Sequence, residues 1–310
     1  MSRMLAPLSR TYSPGKYRLS VGSKVPVTST GQSTLTGGWY YRRTRIKARE
    51  AFQGMSSDEP ETNKVYDEQY FKETYGFDGL KRFDIHWWSI RWYASMVERC
   101  LHAMGGRRLL EIGCGHGFML ARLEQQFETY GVDISSYAIE QATRFAPNSI
   151  CQVADIEAGL PPQYEPGSFD LVVAKYVFEH LTDPLQAVRT AASMLKPGGE
   201  LFFSVPNTES IGARWKGEQW YALQDPTHCS LLAPEEWLAV TREAGLQVYS
   251  ESADGFWDFP YLRWLPVWAQ FPIFIGPTAL SCLSGRAILP PRFGENVLVF
   301  ARKPHASEAL

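Results

Sequence analysis

Two rhythms of apolar residues alternate along the middle of the chain. From His86 to Met104, Trp87, Ile90, Ala94, Val97 and Leu101 recur at three- and four-residue steps, which predicts a helix with one buried face, ended by Gly105–Gly106. Leu109, Leu110 and Ile112 then suit a short buried strand with Glu111 at its end. A turn follows in which Gly113, Gly115 and Gly117 are spaced by single residues, and His116 to Phe127 regains helical periodicity. A second strand ends on Asp133 and a third on Asp155. FDLVVAK and GELFFSV supply a fourth and fifth around a helix, with Pro197–Gly198–Gly199 as the turn ahead of the fifth. This alternation runs to about Pro206 and predicts a parallel sheet covered on both faces. Beyond it come a helix over 233–244, a strand LQVYSES and a last strand over Asn296–Lys303. Ahead of it all, Tyr66–Phe77 reads as a short helix carrying Tyr66, Tyr70, Phe71 and Tyr75, aromatics that either cover a ligand or pack on the sheet edge.

One stretch fits neither rhythm. Residues 255–294 are dense in Trp, Phe, Pro, Leu and Ile, and Trp264–Gly285 is 22 residues without a charge, long enough to cross a bilayer. Pro266, Pro272 and Pro277, with Gly276, argue against a continuous membrane helix. Spanning would be opposed further were the strands on either side to pair in one sheet, since a single crossing would separate them. Three readings remain: a substrate-pocket cap or extra core, a peripheral contact with a membrane interface, or an oligomer interface.

Composition narrows the field. The 310 residues are 45% hydrophobic and 21% charged, an ordinary globular balance that allows one large core with appendages. A net charge of -2 gives no reason to expect a nucleic-acid partner. Five cysteines, without CxxC spacing, fit reduced thiols in a cytoplasmic protein. Residues 1–49 hold ten Lys/Arg and no acid. With the polar stretch after them they make a basic extension and linker over 1–65. It reads as a disordered tail, a transit peptide, or upstream sequence translated from a misassigned start.

The chemistry concentrates at the glycine turn. Glycines let the backbone turn tightly and approach a ligand, and the amides opening the next helix favour a polar or anionic group. Asp133, 20 residues after Gly113, can accept both hydroxyls of a ribose; a helix cap is its other reading. Asp155 can meet an adenine edge or serve a turn. In this order, LLEIGCGHGF, GVDIS, CQVADIE, FDLVVAKYVFEHL and LKPGGELFFSVPN resemble the class I S-adenosylmethionine-dependent methyltransferases, particularly the small-molecule group that includes ubiquinone-biosynthesis O-methyltransferases. The resemblance covers about 66–256 and 295–302. It implies an α/β fold: a three-layer, Rossmann-like, seven-stranded and mostly parallel sheet with an antiparallel last strand pair, here with a C-terminal aromatic and proline-rich insertion. It implies S-adenosyl-L-methionine as cofactor, a helical lid at 66–104, a cofactor-binding domain at 105–254 and a final strand and tail at 295–310. The positions it assigns to the cofactor are Glu111, Gly113, Cys114, Gly115, Gly117, Asp133, Ile134, Asp155, Ile156 and Lys175.

Acceptor chemistry has two candidate stretches. Lys175, Tyr176, Glu179 and His180 follow the fourth strand, at the sheet edge where ligands bind in open α/β folds. His180 is a candidate base or a helix cap. Some of the quinone enzymes that this segment resembles hold a divalent metal on Glu-x-x-Glu-His; here Tyr176 takes the first glutamate position, so no metal is expected. DPTHCS offers Asp225, Thr227 and His228, with a turn as the other reading. His228 ranks ahead of His180 as the base, with Asp225 beside it. Trp215, Trp220 and Tyr221 either wall an acceptor or cover the sheet. The expected reaction is O-methylation of a small-molecule, sugar or lipid-linked acceptor. A nicotinamide oxidoreductase is the rival enzyme, weakened because Phe118 stands where Gly-x-Gly-x-x-Gly needs glycine. A non-catalytic cofactor-binding protein is the third reading.

Overall fold

The computed structural model describes residues 66–75 and 85–305. The basic extension and linker expected over 1–65 lies outside the described residues, as do 306–310 at the end of the tail. In chain order the elements are α1 (Glu68–Tyr75), α2 (Ile85–Met104), β1 (Arg108–Ile112), α3 (Phe118–Leu123), β2 (Glu128–Asp133), α4 (Ser136–Phe145), β3 (Ile150–Val153) and β4 (Phe169–Lys175). After a 3-10 turn at Phe178–His180 come α5 (Pro184–Met194), β5 (Leu195–Pro206), α6 (Ile211–Lys216) and the single turn α7 (Tyr221–Gln224). Last are α8 (Pro234–Glu243), β6 (Gln247–Ala253), α9 (Val267–Ser284) and β7 (Asn296–Arg302).

The seven strands form one sheet in the order β3-β2-β1-β4-β5-β7-β6. β1 to β5 pair in parallel, and β7 runs antiparallel between β5 and β6. Successive side chains of a strand point to opposite faces, and the two cores follow that alternation. Leu110, Ile112, Val172, Ala174, Phe203 and Val205 pack on one face with Trp237 of α8. Leu109, Leu171, Val173, Phe202 and Phe300 pack on the other with Trp92, Tyr93 and Val97 of α2. The expected three-layer sheet with its antiparallel last pair is thus present.

Three expectations shift. The helix after the glycine turn is Phe118–Leu123 and not His116–Phe127, because Gly117 at φ 73° still belongs to the turn and the chain must unwind to enter β2 at Glu128. β5 starts at Leu195, so Pro197–Gly198–Gly199 lies inside the strand, where the pairing register slips between Phe169 and Leu171 and Gly198 adopts φ 79°. The prolines of the insertion do not break its helix: α9 runs through Pro272 and Pro277. The carbonyls they leave without an intrahelical donor belong to Trp268 and Ile273, both exposed, so neither is sealed in an apolar core.

Candidate functional site

The C-terminal ends of β1, β2, β4 and β6 and the start of β7 share one edge of the sheet, and the candidate residues gather along it. At β1 the loop folds onto β2, since the N–H groups of Gly113 and Cys114 both donate to Val132 O, at 2.7 and 3.0 Å. Gly113 adopts φ 68°, and a Cβ there would stand 2.3 Å from Val177 Cγ2. At Gly115 a Cβ would make one ordinary contact, with Phe71 Cε1 at 3.9 Å, so the ring of α1 lies over this side of the loop. Asp133 accepts the Gly115 and Ser135 N–H groups, each at 2.9 Å. Burial raises the carboxyl pKa, and these backbone donors pull it back. The cap of α4 is Ser135, whose Oγ accepts the Ala138 N–H at 3.1 Å. Asp133 is therefore not the helix cap, and its carboxylate ties the second strand to the glycine loop.

The remaining cofactor candidates divide. Glu111 is 4% exposed, its Oε2 has no partner, and burial raises its pKa well above normal against the pull of Lys175. Burial lowers Lys175 to about 8, with Glu111, Asp254 and Glu179 opposing; its ammonium lies 4.9 Å from the Tyr93 ring and 4.5 Å from that of Tyr176. Asp155 accepts the Glu157 N–H at 2.8 Å, which realises its turn reading, and the Ile156 side chain is part of the core. Ile134 follows Asp133 half-buried. Cys114 is buried, and the neighbouring Cys151 thiol together with burial raises its pKa well above normal, which suits an inert packing thiol. Over this loop, Phe71 of α1 stacks 4.8 Å from His116 and 6.0 Å from Tyr137, while Ser135 Oγ donates to Tyr66 O at 2.5 Å. The aromatic segment ahead of α2 therefore covers the glycine turn.

Tyr66 also reaches the second cluster, its ring 6.1 Å from that of His180. His180 and His228 lie 4.7 Å apart, centroid to centroid. Thr227 Oγ donates to Asp225 Oδ1 at 2.5 Å, so at 2.9 Å from His180 Nδ1 it must accept, and His180 carries its proton on Nδ1. His228 Nδ1 faces the Ala222 carbonyl at 2.7 Å, which can only accept. Both imidazoles therefore keep Nε2 bare. Burial, and then His228, lowers His180 to about 3; burial also lowers His228, with Asp225 opposing. Burial works against an ionised Asp225, but His228 and the Thr227 donors outweigh it and hold the carboxyl below its usual range. Asp225 Oδ2 lies 3.8 Å from His228 Nε2, placed to stabilise a proton arriving there. Beneath the pair, Glu179 is 1% exposed with no partner on either oxygen, and burial raises it to about 8. One ligand atom each from Glu179, His180 and His228 lie within 4.8 Å of one another, a set able to hold a metal ion. The Glu-x-x-Glu-His pattern did not point to this set, because its third member, His228, comes from another loop.

A third cluster was not anticipated. Tyr176, the one non-glycine residue with positive φ among those described, holds φ 57° and places its hydroxyl 3.2 Å from that of Tyr93. Asn296 Nδ2 donates to Tyr176 Oη at 3.3 Å, and Tyr221 Oη donates to Asn296 Oδ1 at 2.5 Å. Asp254 accepts the Asn296 N–H at 2.9 Å and the Trp257 indole N–H at 2.8 Å, and burial raises it to about 6. The available signal was the one used for Asp133, an acid closing a strand at the ligand edge. It applies to Asp254 only once β6 is known to run parallel to β5. Of the three aromatic candidates, Tyr221 joins this cluster, Trp215 is exposed, and Trp220 is buried with its indole N–H on Glu295.

Comparison with known proteins agrees with this layout. A family model described as a methyltransferase domain matches residues 88–251. A ubiquinone biosynthesis O-methyltransferase of Xanthomonas euvesicatoria pv. vesicatoria is 31% identical over 188 residues, 51% of this chain and 75% of that protein. Its counterpart in Albidiferax ferrireducens is 38% identical over 112 residues, 34% of this chain, so the chain spans 43% of that relative's length. A Ralstonia nicotianae counterpart is matched over 64% of its length. Among solved structures, magnesium protoporphyrin IX methyltransferase from Synechocystis PCC 6803, with bound SAH, superposes with a TM-score of 0.54 at 14% identity, covering 79% of this chain and all of that one. The plantazolicin methyltransferase BpumL, also with SAH, gives 0.55 at 15% identity, covering 86% and 99%. These two show a shared fold.

Proposed function

The chain belongs to the class I S-adenosylmethionine-dependent methyltransferases, and from that premise we propose that it O-methylates a small-molecule, sugar or lipid-linked acceptor in the cytoplasm. Residues at the edge fit the cofactor. A carboxylate such as Asp133 after the second strand can take both ribose hydroxyls, Gly115 puts no side chain between the backbone and the Phe71 ring, and the unpartnered Glu111 Oε2 suits an ammonium group. The bound cofactor supplies a methyl already activated on a sulfonium, so the protein's task is alignment, worth about 7–11 kcal/mol in favourable cases, and removal of the acceptor proton.

The observation that carries the O-directed reading is the bare Nε2 of His228 beside Asp225. A neutral imidazole can take the hydroxyl proton, and Asp225 then faces the imidazolium. Because burial lowers both histidines, the base stays ready below the ordinary imidazole range, and the rate should fall only as pH drops through the lowered value. A second reading rests on Glu179. Two buried oxygens without partners beside two bare imidazole nitrogens also suit a divalent cation, whose chemistry would be polarisation of the acceptor oxygen.

The test compares His228→Ala with His180→Ala, following S-adenosylhomocysteine release with a host extract as acceptor source. His228→Ala should lower turnover by ~10²-fold or more with cofactor affinity unchanged. Equal, mild losses from both would end the base assignment, and loss of wild-type turnover on chelation would favour the cation.

A further inference from the structure

Helix α9 is inside out. Its buried residues are Gln270, Phe274 and Ser281, which lie within about 40° of one another at ~100° per residue. Gln270 is 0% exposed and fully engaged: Oε1 accepts the N–H groups of Tyr261 and Leu262 at 2.8 and 3.0 Å, and Nε2 donates to Leu262 O and Leu265 O at 2.9 and 2.7 Å. Opposite this face stand Trp268 and Leu283, with Phe271, Ile273 and Leu280 on its flanks, all exposed, and Trp264 just before the helix extends the apolar surface. Trp264, Trp268 and Leu283 are 79%, 74% and 77% exposed. A helix on a water-facing surface shows the reverse arrangement, and monomers rarely leave so continuous an apolar face uncovered. The mean hydropathy of Val267–Ser284 is 1.2, with 17% of the span buried.

Charge and topology identify the cover. Residues 259–294 contain Arg263, Arg286 and Arg292, all exposed, and no acid. A second copy meeting this face about a two-fold axis would bring arginines towards arginines with no carboxylate of 259–294 to receive them, and Asp258 just before is already paired with Lys216 at 2.7 Å; anionic headgroups would receive them. The helix also leaves and returns at one sheet edge. Ala253 pairs with both Leu289 and Val297, and α2 fixes the far end through Arg99 Nη1 to Ser284 O and Trp92 Nε1 to Arg286 O, each at 3.2 Å. That rules out a crossing with the sheet intact and leaves a helix lying flat. We propose that α9 seats the protein on an anionic lipid surface, with Trp264, Trp268 and Leu283 in the acyl boundary and the three arginines at the phosphates. Near the start of the same insertion Trp257 donates to Asp254, which faces the Tyr176 hydroxyl, so the lipid face adjoins the acceptor end of the site. This inference does not depend on the methyl-transfer reading.

The test is co-sedimentation of the full chain with phosphatidylcholine vesicles, with and without phosphatidylglycerol, at low and high salt. Binding should be at least about tenfold tighter on the anionic vesicles and weaken with salt. Replacing Trp264, Trp268 and Leu283 together by serine should weaken it at least about tenfold, with S-adenosylhomocysteine binding by calorimetry as the check on folding. Arg263→Gln, Arg286→Gln and Arg292→Gln together should abolish the preference for anionic lipid while leaving the fold intact. Wild-type protein that stays in the supernatant overturns the proposal. So does binding that survives both variants, or a dimer in ultracentrifugation that the serine variant dissociates while vesicles go unbound.

Discussion

Removing the carboxylate of Asp133 perturbs two things that the structure separates. Its oxygens hold the Gly115 and Ser135 N–H groups at 2.9 Å, so Asp133→Ala leaves two donors at the loop mouth without partners even before any ligand arrives. A hydrogen bond to a charged acceptor is worth about 1.5–3 kcal/mol, but these donors lie at an edge where water can replace part of the loss. The ligand-free protein should therefore lose about 1–3 kcal/mol, read as a melting temperature lower by about 2–10 °C for a domain of this size. Cofactor binding loses the ribose partner as well. A further ~1–3 kcal/mol corresponds to an S-adenosylhomocysteine affinity weaker by about 5–150-fold in calorimetry. Asp133→Asn keeps one acceptor oxygen and should fall between the two. A folded Asp133→Ala protein with wild-type affinity would refute the assignment of this carboxylate to the ribose.

Two further outcomes follow from the same geometry. A Cβ on Gly117 would stand 2.9 Å from Ala142 Cα at φ 73°, so Gly117→Ala must push α4 away besides its left-handed strain of about 1–2 kcal/mol; thermal melts should show a loss of at least about 3 °C, with Gly276→Ala, which meets nothing within 4 Å, as the milder control. Glu295 is buried against Tyr261 and Trp220, and burial raises it from 4.5 to about 7. A raised carboxyl gives stability that is complete below its unfolded value and is lost as pH climbs through the folded one. Wild-type melting temperature should thus fall between about pH 5 and 8, and Glu295→Gln should remove up to about 3 kcal/mol of that dependence; an unchanged slope would place the ionised form in the fold.

Local rules made the cofactor side legible. Apolar runs, the glycine spacing and acids closing strands are read within a few residues, and each predicted strand is present, although β5 starts earlier, at Leu195, and β3 ends at Val153, short of Asp155. The cap question at Asp133 needed only the neighbouring Ser135, yet sequence alone could not decide it, because both residue types cap helices. The acceptor side depended on distance. Thr227 meets His180 across 47 residues, and Asp254 meets Asn296 across 42, pairings set by how β4 lies beside β5 and β6 beside β7 and invisible to periodicity. The prolines, read as arguing against a membrane-spanning helix, do not interrupt α9, because the carbonyls they free belong to exposed residues. Apolar composition marked residues 255–294, but only the structure shows that Gln270 and Ser281 point in with Phe274 while most of the large apolar side chains of α9 point out.

Incubating the purified chain with methyl-labelled S-adenosylmethionine and a host extract, then separating aqueous, lipid and protein fractions, tests the central claim most directly. The account predicts label in a small-molecule or lipid product that survives alkaline hydrolysis, as a methyl ether does, and its loss with His228→Ala. Protein that binds S-adenosylhomocysteine yet labels none of the fractions, or places base-labile methyl on carboxyl groups, would contradict it.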